Sequence, residues 1–214
     1  MSASRAEVKG SRSYDSSTRQ ARARATHQRT LDLAAARFLA DGYEATTVAA
    51  IASDAGVSEA TIYKSYGGKA GLARELCQRA LRGDDAVPAE ERSNALRATA
   101  TKDELLAGWG RFVTELAPRG APLLLVLRDA ASADPEAAAL FDELDRSRLD
   151  RMSENARFLR RAGYLRPEVT VAHARDVLWF TTAPETYDLL VRKRGWPLAR
   201  FGAFVTDIIT TITR

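Results

Sequence analysis

The chain of 214 residues is poor in the residue types that carry most covalent and metal chemistry. It holds a single cysteine, Cys77, so an intrachain disulfide framework and a multi-cysteine metal site are both out. Its two histidines, His27 and His173, stand far apart with no partner spacing, which argues against a metal centre and against histidine-based catalysis. No Ser/His/Asp or Cys/His arrangement is legible, and no glycine-rich phosphate cradle. An enzyme is therefore not expected, and no catalytic residue, metal or cofactor is assigned. Long apolar runs are missing as well. The longest in the C-terminal half, residues 121–127, stops at Arg128 and is too short to cross a bilayer. The N-terminus has basic residues with no apolar stretch behind them, unlike a secretory signal. The expectation is a cytoplasmic chain with no membrane partner and a reduced Cys77.

What is present is the balance of a globular protein, 45% hydrophobic and 28% charged, long enough for one large or two small domains. The net charge of +4 is unevenly placed. Residues 1–29 carry Arg5, Lys9, Arg12, Arg19, Arg22, Arg24 and Arg29 against only Glu7 and Asp15. Residues 30–72 reverse the sign, with Arg37, Lys64 and Lys69 against Asp32, Asp41, Glu44, Asp54 and Glu59. A basic arm on a nearly neutral body suits a polyanion such as nucleic acid, or a membrane surface; it also serves as a plain solvated tail.

Residues 1–20, rich in Ser and Arg and without hydrophobic periodicity, read as a flexible arm. From Ala21 the pattern is helical, with Leu31, Ala34, Ala35, Phe38 and Leu39 on one face and Gly42 as the stop. Thr46 or Thr47 can cap a second helix whose stripe is Val48, Ile51, Ala52 and Ala55. A tight turn at 55–58 follows, with Gly56 for the backbone and Ser58 as the next cap. The short helix 59–66 has one apolar anchor, Ile62, and ends at Gly67-Gly68. A longer helix, 69–81, buries Leu72 and Leu76. Beyond residue 84 only helices are expected: about 90–99, 103–117, 120–132, 135–162, 168–193 and 197–213. Pro135, Pro167 and Pro197 mark starts, and Pro184 a kink. The fold class is all-α, divided into an arm (1–20), a helix-turn-helix domain with a linking helix (21–83) and a helical bundle (84–214).

The segment 46–66 has the make-up of a DNA-reading helix-turn-helix: a bracing helix, a tight turn and a second helix presenting polar side chains to the major groove. Thr46, Thr47, Ser58, Tyr63, Tyr66 and Lys69 are donors of the kind that fix a protein on phosphates. Glu59, Ala60, Thr61 and Lys64 occupy the face directed at base edges. Arg19, Arg22 and Arg24 would let the arm reach phosphates or an adjacent minor groove, supplying the positive charge that residues 30–72 lack.

The runs Phe38-Leu39-Ala40-Asp41-Gly42-Tyr43-Glu44-Ala45-Thr46-Thr47-Val48, Ile51-Ala52, Ala55-Gly56-Val57-Ser58 and Thr61-Ile62-Tyr63-Lys64-Ser65-Tyr66-Gly67-Gly68-Lys69 resemble the N-terminal DNA-binding domain of the TetR family. The resemblance covers about residues 25–80. It departs from the usual pattern at Gly67-Gly68 and in the longer basic arm. It implies an all-helical homodimer, a variable ligand-binding domain, and repression relieved by a small molecule. It also implies phosphate contacts at Thr46 or Thr47, Tyr63, Tyr66 and Lys69, and recognition-helix roles for Thr61 and Lys64.

Trp109, Phe112, Leu124, Arg128, Met152, Asn155, Trp179 and Thr182 lie on or beside core-facing stripes and are the candidate ligand-binding residues, or else ordinary core. Leu189, Leu190, Val191, Phe201, Phe204, Val205, Ile208, Ile209 and Ile212 exceed one buried stripe, so the last two helices are expected to pair in a homodimer facing palindromic double-stranded operator DNA. The effector is an unidentified small molecule. The residues alone leave two alternatives, a helical protein-interaction module and a DNA-binding regulator without a ligand.

Overall fold

A computed structural model describes residues 11–83 and 87–214. The described chain is helical almost throughout: α1 (Ser11–Asp41), α2 (Val48–Ala55), α3 (Glu59–Tyr66), α4 (Lys69–Arg82), α5 (Ala89–Thr99), α6 (Lys102–Ala130), α7 (Pro135–Arg161), α8 (Val171–Thr181), α9 (Pro184–Tyr187) running on into a π-helix (Asp188–Lys193), and α10 (Leu198–Thr211). Extended pairing among the described residues is one antiparallel bridge between Leu165 and Thr213, which pins the C-terminus beside the end of α7. The all-α class is as expected. No helix among the described residues is long and apolar enough to cross a membrane.

Two cores form. The first joins Leu31 and Phe38 of α1, Ile51 of α2, Ile62 of α3, Leu72 and Leu76 of α4, Leu123 and Leu127 of α6, and Leu140 of α7. The second joins Leu105, Leu106 and Trp109 of α6, Leu159 of α7, Leu178 of α8, and Phe201, Val205 and Ile209 of α10. Two helices, α6 and α7, serve both. The sequence reading divides α6 into 103–117 and 120–132, but it continues through Pro118 and Pro122. Each proline withholds one N–H from the helix. Burial of Gly120, Ala121 and Leu123 around them holds the segment helical all the same. Near its start α6 crosses α10 closely, with Gly110 and Gly202 facing each other at the crossing.

Other boundaries differ from expectation for local reasons. The first helix begins at Ser11, not near Ala21. Residues 17–25 are exposed on every side, so this stretch has no buried face for hydrophobic periodicity to detect. The part of the expected arm before Ser11 lies outside the described residues. Leu39 is 51% exposed rather than part of the buried stripe. The expected helix 168–193 is split. Thr170, not Pro167, starts α8, its hydroxyl accepting from the His173 N–H at 3.1 Å. Pro184 does not kink a continuous helix; it opens a new segment after Ala183.

Candidate nucleic-acid interface

The helix-turn-helix is built by caps. Thr47 Oγ1 accepts from the Ala50 N–H at 3.1 Å and starts α2. Gly56 ends it in the left-handed region at φ 66°, where a side chain would be strained. Ser58 Oγ accepts from the Thr61 N–H at 3.2 Å and starts α3. Ile62 is fully buried and anchors α3, while Glu59, Ala60, Thr61, Tyr63, Lys64 and Ser65 are exposed. An eight-residue helix is about 12 Å long, close to the width of the major groove.

Helix α1 holds this motif from behind. Arg29 donates to the carbonyl of Ala55, placing a cation at the C-terminal end of α2. Arg37 donates twice to Asp54, at 2.5 and 3.0 Å. That bond holds the Asp54 carboxyl below the usual carboxylate range. His27 joins three helices: its Nε2 lies 2.7 Å from Glu75 Oε1 of α4, its Nδ1 lies 3.0 Å from the Tyr66 hydroxyl at the end of α3, and its ring stacks on Tyr66 at 5.0 Å. Sequence reasoning gave Arg29, Arg37 and His27 no such role. Their positions on α1 were visible in the sequence; their partners, distant along the chain, were not.

The candidate DNA contacts divide in two. Thr47, Ser58, Glu59, Ala60, Thr61, Tyr63 and Lys64 are exposed around α3, and Arg22 and Arg24 are exposed on α1. Three others turn inward. Thr46 is 1% exposed and donates to the Gly42 carbonyl at 2.7 Å, so it has no surface for a phosphate. The Tyr66 hydroxyl is taken by His27, whose carbonyl also accepts it at 3.2 Å. Lys69 Nζ donates to the Tyr43 carbonyl at 3.1 Å, lies 4.1 Å from the Tyr43 ring centre, and sits 3.6 Å from Asp134 Oδ2. A hydroxyl or ammonium beside a helix end serves an internal carbonyl as readily as a phosphate, and the sequence does not distinguish them.

Lys69 also marks where the helix-turn-helix half meets the bundle. Asp134 caps α7, accepting from the N–H groups of Glu136 and Ala137 at 2.9 and 3.0 Å. One turn further along α4, Arg74 donates to both oxygens of Glu143 on α7, at 3.2 and 2.8 Å. Cys77 lies in the same junction, among Phe38, Tyr43, Ala73, Leu123, Val126 and Leu127. Burial pushes its thiol up to about 12, so it acts as a small apolar residue.

The candidate ligand residues do not form one cavity. Trp109, Phe112 and Met152 belong to the second core, with Phe112 beneath the Arg92 guanidinium at 5.1 Å. Asn155 is buried and accepts from Arg97 at 3.1 Å. Arg128 is exposed and paired with Asp129 and Glu185, at 2.7 and 3.0 Å. Leu124, Trp179 and Thr182 do converge, on Arg148. Arg148 stands in a run of charged residues along α7, yet its side chain is only 16% exposed. The pattern that would have found it is Phe141, Leu144, Asp145 and Arg148, spaced i, i+3, i+4 and i+7 along one helix face.

Residues 31–76, from the buried part of α1 through α3 into α4, match the family model of bacterial regulatory proteins of the tetR family. The chain carries an N-terminal domain of the tetR family. The rest of the chain has the fold of such regulators. NalD of Pseudomonas aeruginosa, the secondary repressor of the MexAB-OprM multidrug efflux pump, superposes with a TM-score of 0.71 at 18% identity, over 90% of this chain and 98% of that one. The SmeT–triclosan complex gives 0.69 at 22% identity, over 89% and 92%. A regulator from Saccharomonospora viridis in complex with choline gives 0.65 at 20% identity, over 90% and 99%. No curated protein matches the chain. At these identities the structural likeness establishes the TetR-type fold, and the DNA-binding character rests on the matched N-terminal domain.

Proposed function

We propose that this TetR-type regulator is a homodimeric repressor that leaves a palindromic operator when a small molecule binds its bundle. The observation that carries the reading is α3, a helix of groove length with one buried anchor and every other side chain at least partly turned outward. Thr47, Ser58 and Tyr63 take phosphates, Thr61 and Lys64 base edges, with Glu59 and Ala60 beside them. Arg22 and Arg24 extend the positive surface along α1. Dimerisation through the last helices is supported by what they leave uncovered. Leu189 and Leu198 are 54% and 38% exposed. Leu190, Val191, Phe204 and Ile208 are half-buried, while Phe201, Val205 and Ile209 fill the chain's own core. Release by an effector is supported by the α4–α7 ion pairs, through which a shift of the bundle reaches the DNA-reading half. The fold relatives holding triclosan and choline are consistent with a bundle that accepts small molecules.

The test is fluorescence anisotropy with duplex DNA from just upstream of the coding region, against an unrelated duplex at physiological salt. A preference of about 10³-fold is expected, and its salt slope should shrink by about two when Arg22 and Arg24 are both replaced by alanine. Equal binding of both duplexes would reject operator recognition at that site.

The Lys69–Asp134 pair gives a second expected result. Asp134→Asn keeps the oxygen that caps α7 and removes the charge facing Lys69. A freed ammonium adds one phosphate contact, so operator affinity should rise about threefold and the salt slope steepen by about one. In the Lys69→Met background the same substitution should change neither quantity. An unchanged slope for Asp134→Asn alone would mean that Lys69 does not reach the DNA.

A further inference from the structure

Where α6, α7, α8 and α9 meet, the chain surrounds one of its own cations with acceptors. The guanidinium of Arg148 donates to Asp145 Oδ1 at 2.6 Å, to the carbonyl of Trp179, and, at 3.5 Å, to Thr182 Oγ1. Its central carbon lies 4.7 Å from the centre of the Trp179 ring. Glu185 adds a second carboxylate field from α9. On the other side of the guanidinium is a recess walled by the apolar side chains of Leu124, Phe141, Leu144 and Pro184. Taken without Arg148, this corner holds two carboxylates, a carbonyl, a hydroxyl and an indole face. Those are the groups that recognise an organic cation. An anion entering here would face Asp145 and Glu185. Arg128, a further cation near Glu185, is already paired with Glu185 and Asp129.

We propose that Arg148 occupies, in the ligand-free chain, a binding site for a planar organic cation with an apolar body, and that such a ligand binds by displacing the Arg148 guanidinium. The ligand's charged group takes Asp145, the Trp179 carbonyl and the Trp179 face, and its apolar part fills the recess. The recess is small, about 10 Å³, because the chain's own side chain fills the polar end. The displaced Arg148 has a way out, being partly exposed already. Its departure removes the bonds that fasten α7 to the C-terminal end of α8. The same helix carries Asp134 and Glu143, which hold Lys69 and Arg74 of α4. Only this regulatory consequence rests on the effector-release reading; binding of the cation does not.

The test uses the full chain and three probes of similar shape and different charge: benzamidinium, benzamide and benzoate, titrated calorimetrically. Wild type is expected to bind benzamidinium at least about tenfold more tightly than benzamide or benzoate. Asp145→Asn should weaken benzamidinium by about tenfold, and Arg148→Met, which keeps the aliphatic stem and removes the internal competitor, should strengthen it by about tenfold. Trp179→Phe should weaken it with Asp145 intact, so the site is still tested if Asp145→Asn does not fold. Binding to Arg148→Met but not to wild type would overturn the proposal and leave Arg148 a structural ion pair. A preference for benzoate, or no difference among the three probes, would overturn it too. Operator release is read separately. Benzamidinium that binds as expected without releasing DNA upholds the site and counts against effector release instead.

Discussion

Gly71→Ala is expected to abolish operator binding and to destabilise the chain by about 3 kcal/mol, the upper range for overpacking. Gly71 lies in the first turn of α4, against the end of the recognition helix. A Cβ there would stand 1.6 Å from the carbonyl oxygen of Tyr66. No rotamer change relieves that contact, because both groups are backbone or bonded directly to it. The last turn of α3 must move away from α4. Tyr66 would then draw its ring from the His27 stack and its hydroxyl from His27 Nδ1. The clamp joining α1, α3 and α4 would open, and α3 would lose its angle to the groove. Thermal denaturation and operator anisotropy on the same preparation check both halves. Wild-type values for both would mean that α3 and α4 do not meet as described here.

Gly110→Val should have an effect of similar size at the other end of the molecule. At the crossing of α6 and α10, a Cβ on Gly110 would lie 2.9 Å from the Gly202 carbonyl oxygen and 2.3 Å from Thr206 Oγ1. The reciprocal Cβ on Gly202 would lie 3.0 Å from the Gly110 carbonyl oxygen. Thr206 can turn aside; the backbone cannot. Valine at either position forces the helices apart and opens the packing of Phe201, Val205 and Ile209, at a cost of about 3 kcal/mol. Because α10 carries part of the proposed dimer face, the apparent mass by light scattering should fall towards that of one chain at micromolar concentration. Gly202→Val should behave alike, and the double variant should lose less than the two single losses combined, since both act on one contact. Additive losses would show that the two glycines do not share that contact.

Much of the DNA-reading half was legible because its information is local. The period of Leu31, Ala34 and Phe38, the turn glycine at 56, the cap at Ser58 and the anchor Ile62 are all written within a few residues of where they act. Lys69, Thr46 and Tyr66 were legible as donors but not in direction. Their acceptors, Tyr43 and Asp134, Gly42, and His27, are brought near by the fold. Arg148 gave no sign of its burial, because a run of mixed charges on α7 has the same composition whether it faces water or a neighbouring helix. The crossing glycines gave no signal at all, since an isolated glycine within a helix pattern does not announce what touches it. The extension of α1 towards Ser11 escaped for another reason: residues 17–25 are exposed, and periodicity reports only faces that are buried.

The unbroken α6 has a mechanical consequence. Pro118 and Pro122 leave the carbonyls of Thr114 and Pro118 without their usual partners four residues on, where α6 passes from the second core to the first. The rod is therefore stiff where each core grips it and compliant in the middle. A disturbance that begins in the bundle would be met first by a bend at this joint, and only then by a translation of Leu123 and Leu127 beneath the N-terminal domain. The angle across the joint, more than the length of any single contact, would set how far apart two recognition helices stand along a duplex.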